Sequence, residues 1–412
     1  TSGYTPGAAL RLFRIDARNP DRFASAMAKP KVLVVAGTRP EAVKMAPVHF
    51  ALSGSELLEP VFCSTAQHRE MMDQTLGVFE IRPDIDLDLM RPGQTLPGLT
   101  AAVIEGSTRT LRELRPDAVL VQGDTTTVLG TALAAFYERI PVGHVEAGLR
   151  TYDFDAPWPE EMNRRLVDPL SRWCFAPTEF SRTNLRGESI PDANCEVTGN
   201  TVIDALLWIR ARQESMGTGA AEIAARCEIP NAFVETYLEG DRPWILVTGH
   251  RRESFGAGFE GICRSILALV EDWPELGILY PVHLNPRVQE PVKRFLADHH
   301  RICLARPCGY FDFVWLMSRC RFLLSDSGGV QEEAPSLGKP VLVMRKTTER
   351  PEGVEAGTCR LVGTDPERIV PEASLLLADE DEYHRRSELR NPYGDGHAAL
   401  RIRGRLEKDL VG

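Results

Sequence analysis

From Lys31 onward the chain alternates short, continuous apolar runs with longer stretches in which apolar residues recur at helical spacing. In the first half the runs 31–35, 61–65, 118–122, 141–146 and 173–176 read as strands, with helices over 98–114 and 128–138. A polar stretch at 191–200, containing Pro and Asn, leads into a helix over 202–212, and the same alternation then restarts with strands at 244–248, 277–282, 322–325 and 340–344. Runs apolar on both faces fit a parallel sheet covered by helices on both sides. The pattern predicts an α/β chain with two Rossmann-like parallel-sheet domains, 31–199 and 200–380, and a ligand site in the cleft between them. Residues 381–412 lack strand signals and read as C-terminal helices packing back toward the first domain.

The length of 412 residues fits two or three domains at roughly 150 residues each. Apolar residues at 43% and charged residues at 26% are ordinary for chains that bury real cores. The 58 Asp and Glu outnumber the 48 Lys and Arg, and the resulting charge of −10 disfavours nucleic acid or an anionic membrane as a partner. Nine scattered cysteines without a C-x-x-C pair fit a reducing, cytoplasmic setting rather than a disulfide frame or zinc site. No apolar run reaches the roughly 18 residues needed to span a bilayer. The segment 1–30 carries four arginines but no signal-like core and reads as an N-terminal extension of unassigned role.

Unusual polar residues gather at the strand ends, where open parallel sheets bind their ligands. Gly37-Thr38-Arg39-Pro40-Glu41 follows the first strand, so Arg39 and Lys44 flank a helix start whose free amides favour anions; the alternative is that both simply solvate that end. Asp124, after 118–122, is either a cap for the next helix or a reacting carboxylate. Taken singly, Glu146 reads as a partner for Arg150, and Glu160 and Glu161 as first-turn acids. Together these positions point to clustered carboxylates, which raise one another's pKa and suit general acid–base work.

In the second half, Thr248-Gly249-His250-Arg251-Arg252-Glu253 forms a cationic turn suited to a phosphate clamp, and His283 follows the next strand. Gly256-Ala257-Gly258-Phe259-Glu260-Gly261 matches G-x-G-x-x-G as a string. It lies too far past the strand for a dinucleotide turn, and a mobile loop over the cleft is expected instead. Ser327, Gly328 and Gly329 permit close backbone approach to a phosphate, Glu332 or Glu333 could accept from ribose hydroxyls, and Arg350 follows the next strand toward the same edge. Neither a G-x-x-x-x-G-K-[ST] loop nor an H-E-x-x-H string occurs, so no metal site is expected.

Seven segments in one order carry a family resemblance. They are Gly37-Thr38-Arg39-Pro40-Glu41, Gln67-His68-Arg69-Glu70-Met71, Gln122-Gly123-Asp124-Thr125, His144-Val145-Glu146-Ala147-Gly148-Leu149-Arg150, Pro157-Trp158-Pro159-Glu160-Glu161, Thr248-Gly249-His250-Arg251-Arg252-Glu253 and Asp326-Ser327-Gly328-Gly329. From about Lys31 to its end the chain resembles the non-hydrolysing UDP-N-acetylglucosamine 2-epimerases of bacterial type. The resemblance implies a glycosyltransferase-B-like fold, a homodimer, no cofactor, and reversible C2 epimerisation of UDP-N-acetylglucosamine to UDP-N-acetylmannosamine. In that family UDP is eliminated to leave 2-acetamidoglucal and is then added back, supplying N-acetylmannosamine units for bacterial surface polysaccharide.

Carried onto this chain, Asp124, Glu146 and Glu160 match the proton-transfer carboxylates, and His250 the group assisting UDP departure. Arg39, Lys44, Ser327, Gly328, Gly329, Glu333 and Arg350 match UDP contacts. Gln67, Arg69, Arg251 and His283 fall in segments matching a second, activating UDP-N-acetylglucosamine site. Competing readings are a UDP-sugar-dependent glycosyltransferase, a hydrolysing epimerase and a non-catalytic nucleotide-sugar sensor. A transferase needs an acceptor site and one base, and a sensor needs no acid set, so three carboxylates favour epimerisation.

Overall fold

The computed structural model describes residues 29–65, 69–91 and 93–412, the side chains of 69–71 excepted. Strands β1 (Lys31–Ala36), β2 (Glu59–Ser64), β3 (Ile85–Asp86), β4 (Ala118–Gln122), β5 (Val142–Val145), β6 (Trp173–Ala176) and β7 (Cys195–Val197) form one sheet. Its order is β3-β2-β1-β4-β5-β6-β7, parallel throughout. Strands β8 (Trp244–Thr248), β9 (Gly277–Pro281), β10 (Ile302–Ala305), β11 (Leu323–Ser325), β12 (Val341–Val343) and β13 (Cys359–Leu361) form a second parallel sheet, ordered β10-β9-β8-β11-β12-β13. In each sheet the order reverses beside the first strand, between β1 and β4 and between β8 and β11, and the crevice at such a reversal is where doubly wound sheets take ligands.

Both faces of each sheet are covered, which is why the central strands are largely apolar on both faces. Along β1, Val32, Val34 and Ala36 enter one core while Leu33 and Val35 enter another. Along β8, Ile245 and Val247 point to a core of the second sheet. Trp244 and Leu246 point the other way, into the same continuous core that receives Val32 and Val34. The Thr201–Met216 helix joins the halves, its Ile203, Leu206 and Ile209 lying in that shared core with Trp315 of the second half. Apolar packing, not a polar linker, therefore sets how the sheets face each other.

The C-terminal helix Ala398–Val411 returns to the first half. Its opening amides, Ala398 and Ala399, donate to Asp204, while Glu407 and Asp409 accept from Ser55 and from the Trp173 indole.

The 256–261 glycine string is not a mobile loop. Gly256 turns the chain at φ 76°, and the Ala257–Asp272 helix starts at the next residue. Gly261 sits inside that helix against the Thr364 carbonyl, an approach that leaves no room for a Cβ. The glycines serve close packing of the helix onto the 364 segment.

Candidate active site

A cleft of about 530 Å³ opens between the carboxyl ends of the two sheets. Arg39, Lys44, His250, His283, Ser327, Gly329, Glu333 and Arg350 all line it. Arg39 and Lys44 come from the Arg39–Ser53 helix after β1. The two amides just ahead of that helix are occupied: Glu41 accepts from the amides of Gly37 (2.9 Å) and Thr38 (2.6 Å) and from the Thr125 hydroxyl (2.6 Å). Arg39 and Lys44 are the two cations that this helix brings to the cleft.

Lys44 is the electrical centre of the cleft. Its Nζ lies 2.5 Å from Glu146 Oε1 and 3.9 Å from Glu332 Oε2, so one ammonium spans a carboxylate from each half. Burial works against its charge, but Glu146 and Glu332 outweigh burial and hold Lys44 above its ordinary pKa. Glu146 follows β5 with φ 67°, a left-handed conformation that costs a non-glycine residue energy and is found at functional positions. Gln122 and Asn200 also donate to its carboxylate. Despite burial, Lys44 and Arg350 hold Glu146 below the usual carboxylate range.

On the opposite wall Arg350 donates from Nε to Glu332 (2.7 Å) and approaches Glu349 (3.2 Å). It packs so closely over Gly328 that a Cβ there would lie 2.5 Å from the guanidinium carbon. Burial and the neighbouring Glu332 push Glu333 up to about 8, and its Oε2 accepts from the Tyr310 hydroxyl (3.2 Å). Glu333 is thus largely protonated at neutral pH, while Lys44 and Arg350 carry full charge.

His250 is half exposed at the cleft, stacked on His283 with ring centroids 5.7 Å apart. Its backbone amide and that of Arg251 both donate to Asp326 Oδ2 (2.8 Å each), and His250 Nδ1 lies 3.2 Å from Asp326 Oδ1. Burial opposes the charge of Asp326, yet the imidazole and these amides keep it below its ordinary range. Burial and the neighbouring imidazole hold His283 down instead.

Asp124, Glu146 and Glu160 do not line the cleft directly. Glu146 meets it through Lys44 and lies against Gly123, next to Asp124. The cap of the helix after β4 is Thr125, which accepts from the Val128 amide (3.3 Å), so capping does not explain Asp124. Its carboxylate pairs with Arg164 (2.7 Å), and its carbonyl accepts from Asn163 (2.8 Å), both on the Glu160–Val167 helix.

Glu160 and Arg164 are four apart and share a helix face. Glu161 is fully buried and occupied by the amides of Thr151 and Tyr152 and by Arg164. In Glu160, by contrast, Oε2 is buried without a hydrogen-bond partner.

Of the residues matched to an activating site, Gln67 lies outside the described residues, as does the side chain of Arg69. His283 lines the main cleft, whereas Arg251 lines a separate cavity of about 540 Å³ with Arg345 and Glu349. The sequence reading missed Tyr310 and Tyr393; the hydroxyl of Tyr393 accepts from the Gly353 amide and donates to the Arg350 carbonyl. Among the described residues no helix is long and apolar enough to cross a membrane, and no group of three or more His, Cys, Asp or Glu is placed to hold a metal ion.

The profile of the family described as UDP-N-acetylglucosamine 2-epimerase matches residues 50–407. The chain is 55% identical over 381 residues to the UDP-N-acetylglucosamine 2-epimerase of Escherichia coli O157:H7, covering 92% of this chain and 99% of that one. It is similar to the crystal structure of the Neisseria meningitidis UDP-GlcNAc 2-epimerase bound to UDP-GlcNAc, with a TM-score of 0.84 at 48% identity, covering 92% of this chain and 100% of that chain. The Methanocaldococcus jannaschii UDP-GlcNAc 2-epimerase in complex with UDP-GlcNAc and UDP matches at a TM-score of 0.74 and 32% identity, covering 92% and 99%. With its paired parallel sheets, glycosyltransferase-B-like architecture and cation-lined cleft, the chain belongs to the UDP-N-acetylglucosamine 2-epimerase family of isomerases.

Proposed function

We propose that the chain interconverts UDP-N-acetylglucosamine and UDP-N-acetylmannosamine without hydrolysis, by eliminating UDP and adding it back. The observation that carries this reading is Lys44: one ammonium belongs both to the cation-lined cleft and, through Glu146, to the carboxylates at the ends of β4 and β5. Nucleotide binding and proton transfer thus meet at one point.

UDP lies against Ser327, Gly328 and Gly329, with its ribose toward Glu333 and its diphosphate held by Arg39, Lys44 and Arg350. His250, backed by Asp326, donates a proton to the departing diphosphate. The C2 proton is weakly acidic. Its removal becomes feasible as the anomeric C–O bond breaks and positive charge develops on the ring, so charge stabilisation is the larger contribution. One preorganised donor at a developing charge is worth about 3 kcal/mol, whereas a positioned base supplies roughly 10²- to 10⁴-fold in rate.

Asp124, Glu146 and Glu160 serve the proton transfers on the two faces of C2. Glu160 rather than Glu161 takes part, because only Glu160 has an unsatisfied carboxylate oxygen. The steps are redox-neutral and need no cofactor. The enzyme acts as a homodimer in the cytoplasm and supplies N-acetylmannosamine units for surface polysaccharide.

Incubation with UDP-N-acetylglucosamine in D₂O, with no acceptor present, should place deuterium at C2 and yield both nucleotide-linked epimers. Recovery of deuterium-free substrate, or free sugar as the main product, would overturn the assignment.

A further inference from the structure

Beneath the Asp124 turn lies a chain of charged side chains that none of the steps above uses. His144, the third residue of β5, is fully buried. Its Nε2 lies 2.7 Å from the carbonyl oxygen of Gly123, and its Nδ1 lies 2.6 Å from Asp168 Oδ1. A carbonyl only accepts, so Nε2 carries a hydrogen. Asp168 also accepts from Arg150 Nη2 on its other oxygen (2.6 Å), so His144 and Arg150 sit on the two oxygens of one carboxylate. Both ring nitrogens of His144 thus face acceptor oxygens. Although burial opposes its charge, His144 and Arg150 keep Asp168 below its ordinary range. Arg150 is anchored in turn on Glu188 at 2.9 and 2.8 Å.

We propose that His144, braced by Asp168 and Arg150, is a positioning residue that fixes the Asp124 backbone for proton transfer. Gly123 takes φ 80°, in the left-handed region that favours glycine, so its own conformation does not fix where the next residue points. The surroundings fix it. His144 holds the carbonyl before Asp124, Asn163 holds the carbonyl of Asp124 itself, and Arg164 holds its carboxylate. Of these three holds only His144 comes from the sheet, and Asp168, itself held by Arg150, fixes the ring from its other side. A loose turn would displace the carboxylate from C2, and a misplacement of about 1 Å can cost on the order of 100-fold in rate.

The inference rests on Asp124 acting in proton transfer. The test compares His144→Phe, which removes both ring nitrogens, with His144→Gln, which keeps one donor toward Gly123. Readouts are kcat for C2 deuterium exchange, the Kd for UDP by calorimetry, and Tm. His144→Phe should lower kcat by about 30- to 100-fold with the UDP Kd within about 2-fold, because His144 bonds to Gly123 and Asp168 and to none of the proposed nucleotide contacts, and His144→Gln should recover about 10-fold of that loss.

Unchanged kcat in His144→Phe, or kcat and UDP affinity falling in parallel in both variants, would overturn the proposal and leave a purely structural role. If His144→Phe does not fold, His144→Gln decides alone: kcat lowered about 3- to 10-fold with intact UDP affinity supports positioning, whereas unchanged kcat, or kcat and UDP affinity falling in parallel, refutes it. Asp124→Asn run alongside separates the two readings. Full exchange in that variant removes the role of Asp124 itself, whereas lost exchange there with normal kcat in His144→Phe removes only the positioning.

Discussion

Glu333 offers a quantitative test of the electrostatics of the cleft. It closes the Gly328–Glu333 helix, is 8% exposed, and is pushed from an ordinary 4.5 to about 8 by burial and by Glu332 beside it. A carboxyl raised in the folded state binds its proton more tightly there than in the unfolded chain. Its contribution to stability is complete below pH 4.5 and is lost as pH climbs to 8, after which it is constant. Over that window of 3.5 pH units, at 1.36 kcal/mol per unit, the loss amounts to about 5 kcal/mol.

Glu333→Gln replaces the group with a neutral amide of the same shape whose carbonyl still accepts from Tyr310. The variant should match wild type at pH 5 and become progressively more stable above it, by about 5 kcal/mol at pH 9. At roughly 2 °C or more per kcal/mol that is a Tm advantage of about 10 °C, readable by calorimetry across pH 5 to 9. Glu332, also raised by burial, is present in both proteins. Parallel Tm–pH curves for the two proteins, or a variant less stable at pH 9, would refute the reasoning.

The two adjacent acids of the Glu160–Val167 helix should separate cleanly. Glu160→Ala should keep Tm within a few degrees yet lose C2 exchange by about 100-fold or more, whereas Glu161→Ala should cost about 3 kcal/mol by leaving the Thr151 and Tyr152 amides without their acceptor and Arg164 with Asp124 alone, seen as a lowered Tm. Gly328→Ala should push the Arg350 guanidinium off Glu332 and weaken UDP binding about 10-fold in calorimetry, near 1.4 kcal/mol. Lys44→Met should leave Glu146 and Glu332 without their shared cation, lowering stability by about 3 kcal/mol at neutral pH. Because both carboxylates then prefer a proton, its Tm should recover as pH falls toward 5.

The strands that the apolar pattern located are those with a neighbour on each side: 118–122, 173–176 and 244–248 match β4, β6 and β8 residue for residue. The strands it missed, β3, β7, β10 and β13, are the four edges of the two sheets. They have two to four residues, and an edge has only one neighbour to satisfy, so little sequence signal is required of it. The site divides in the same way. Residues at strand ends were legible because a charged group following an apolar run is conspicuous. Their partners were not: Asn200 reaches Glu146 from 54 residues away and Asp326 holds His250 from 76 residues away, separations set by strand order within each sheet, while Lys44 meets Glu332 through the docking of one sheet against the other.

That docking also reconciles a net charge of −10 with an anionic substrate. Within the cleft, Arg39, Lys44 and Arg350 face Glu146 and Glu332, while Glu333 stays largely uncharged below pH 8, so the local balance is positive although the chain as a whole is acidic. The balance is also shared between the halves. Lys44 keeps Glu146 ionised, and any diphosphate that draws on the same ammonium weakens that hold. By the same Coulombic reasoning, a diphosphate held at Lys44 as proposed would move the pKa of Glu146 back up and favour its protonated form while the nucleotide is bound. An acid placed elsewhere on the sheet, without Lys44 between it and the nucleotide, would have no such dependence on occupancy.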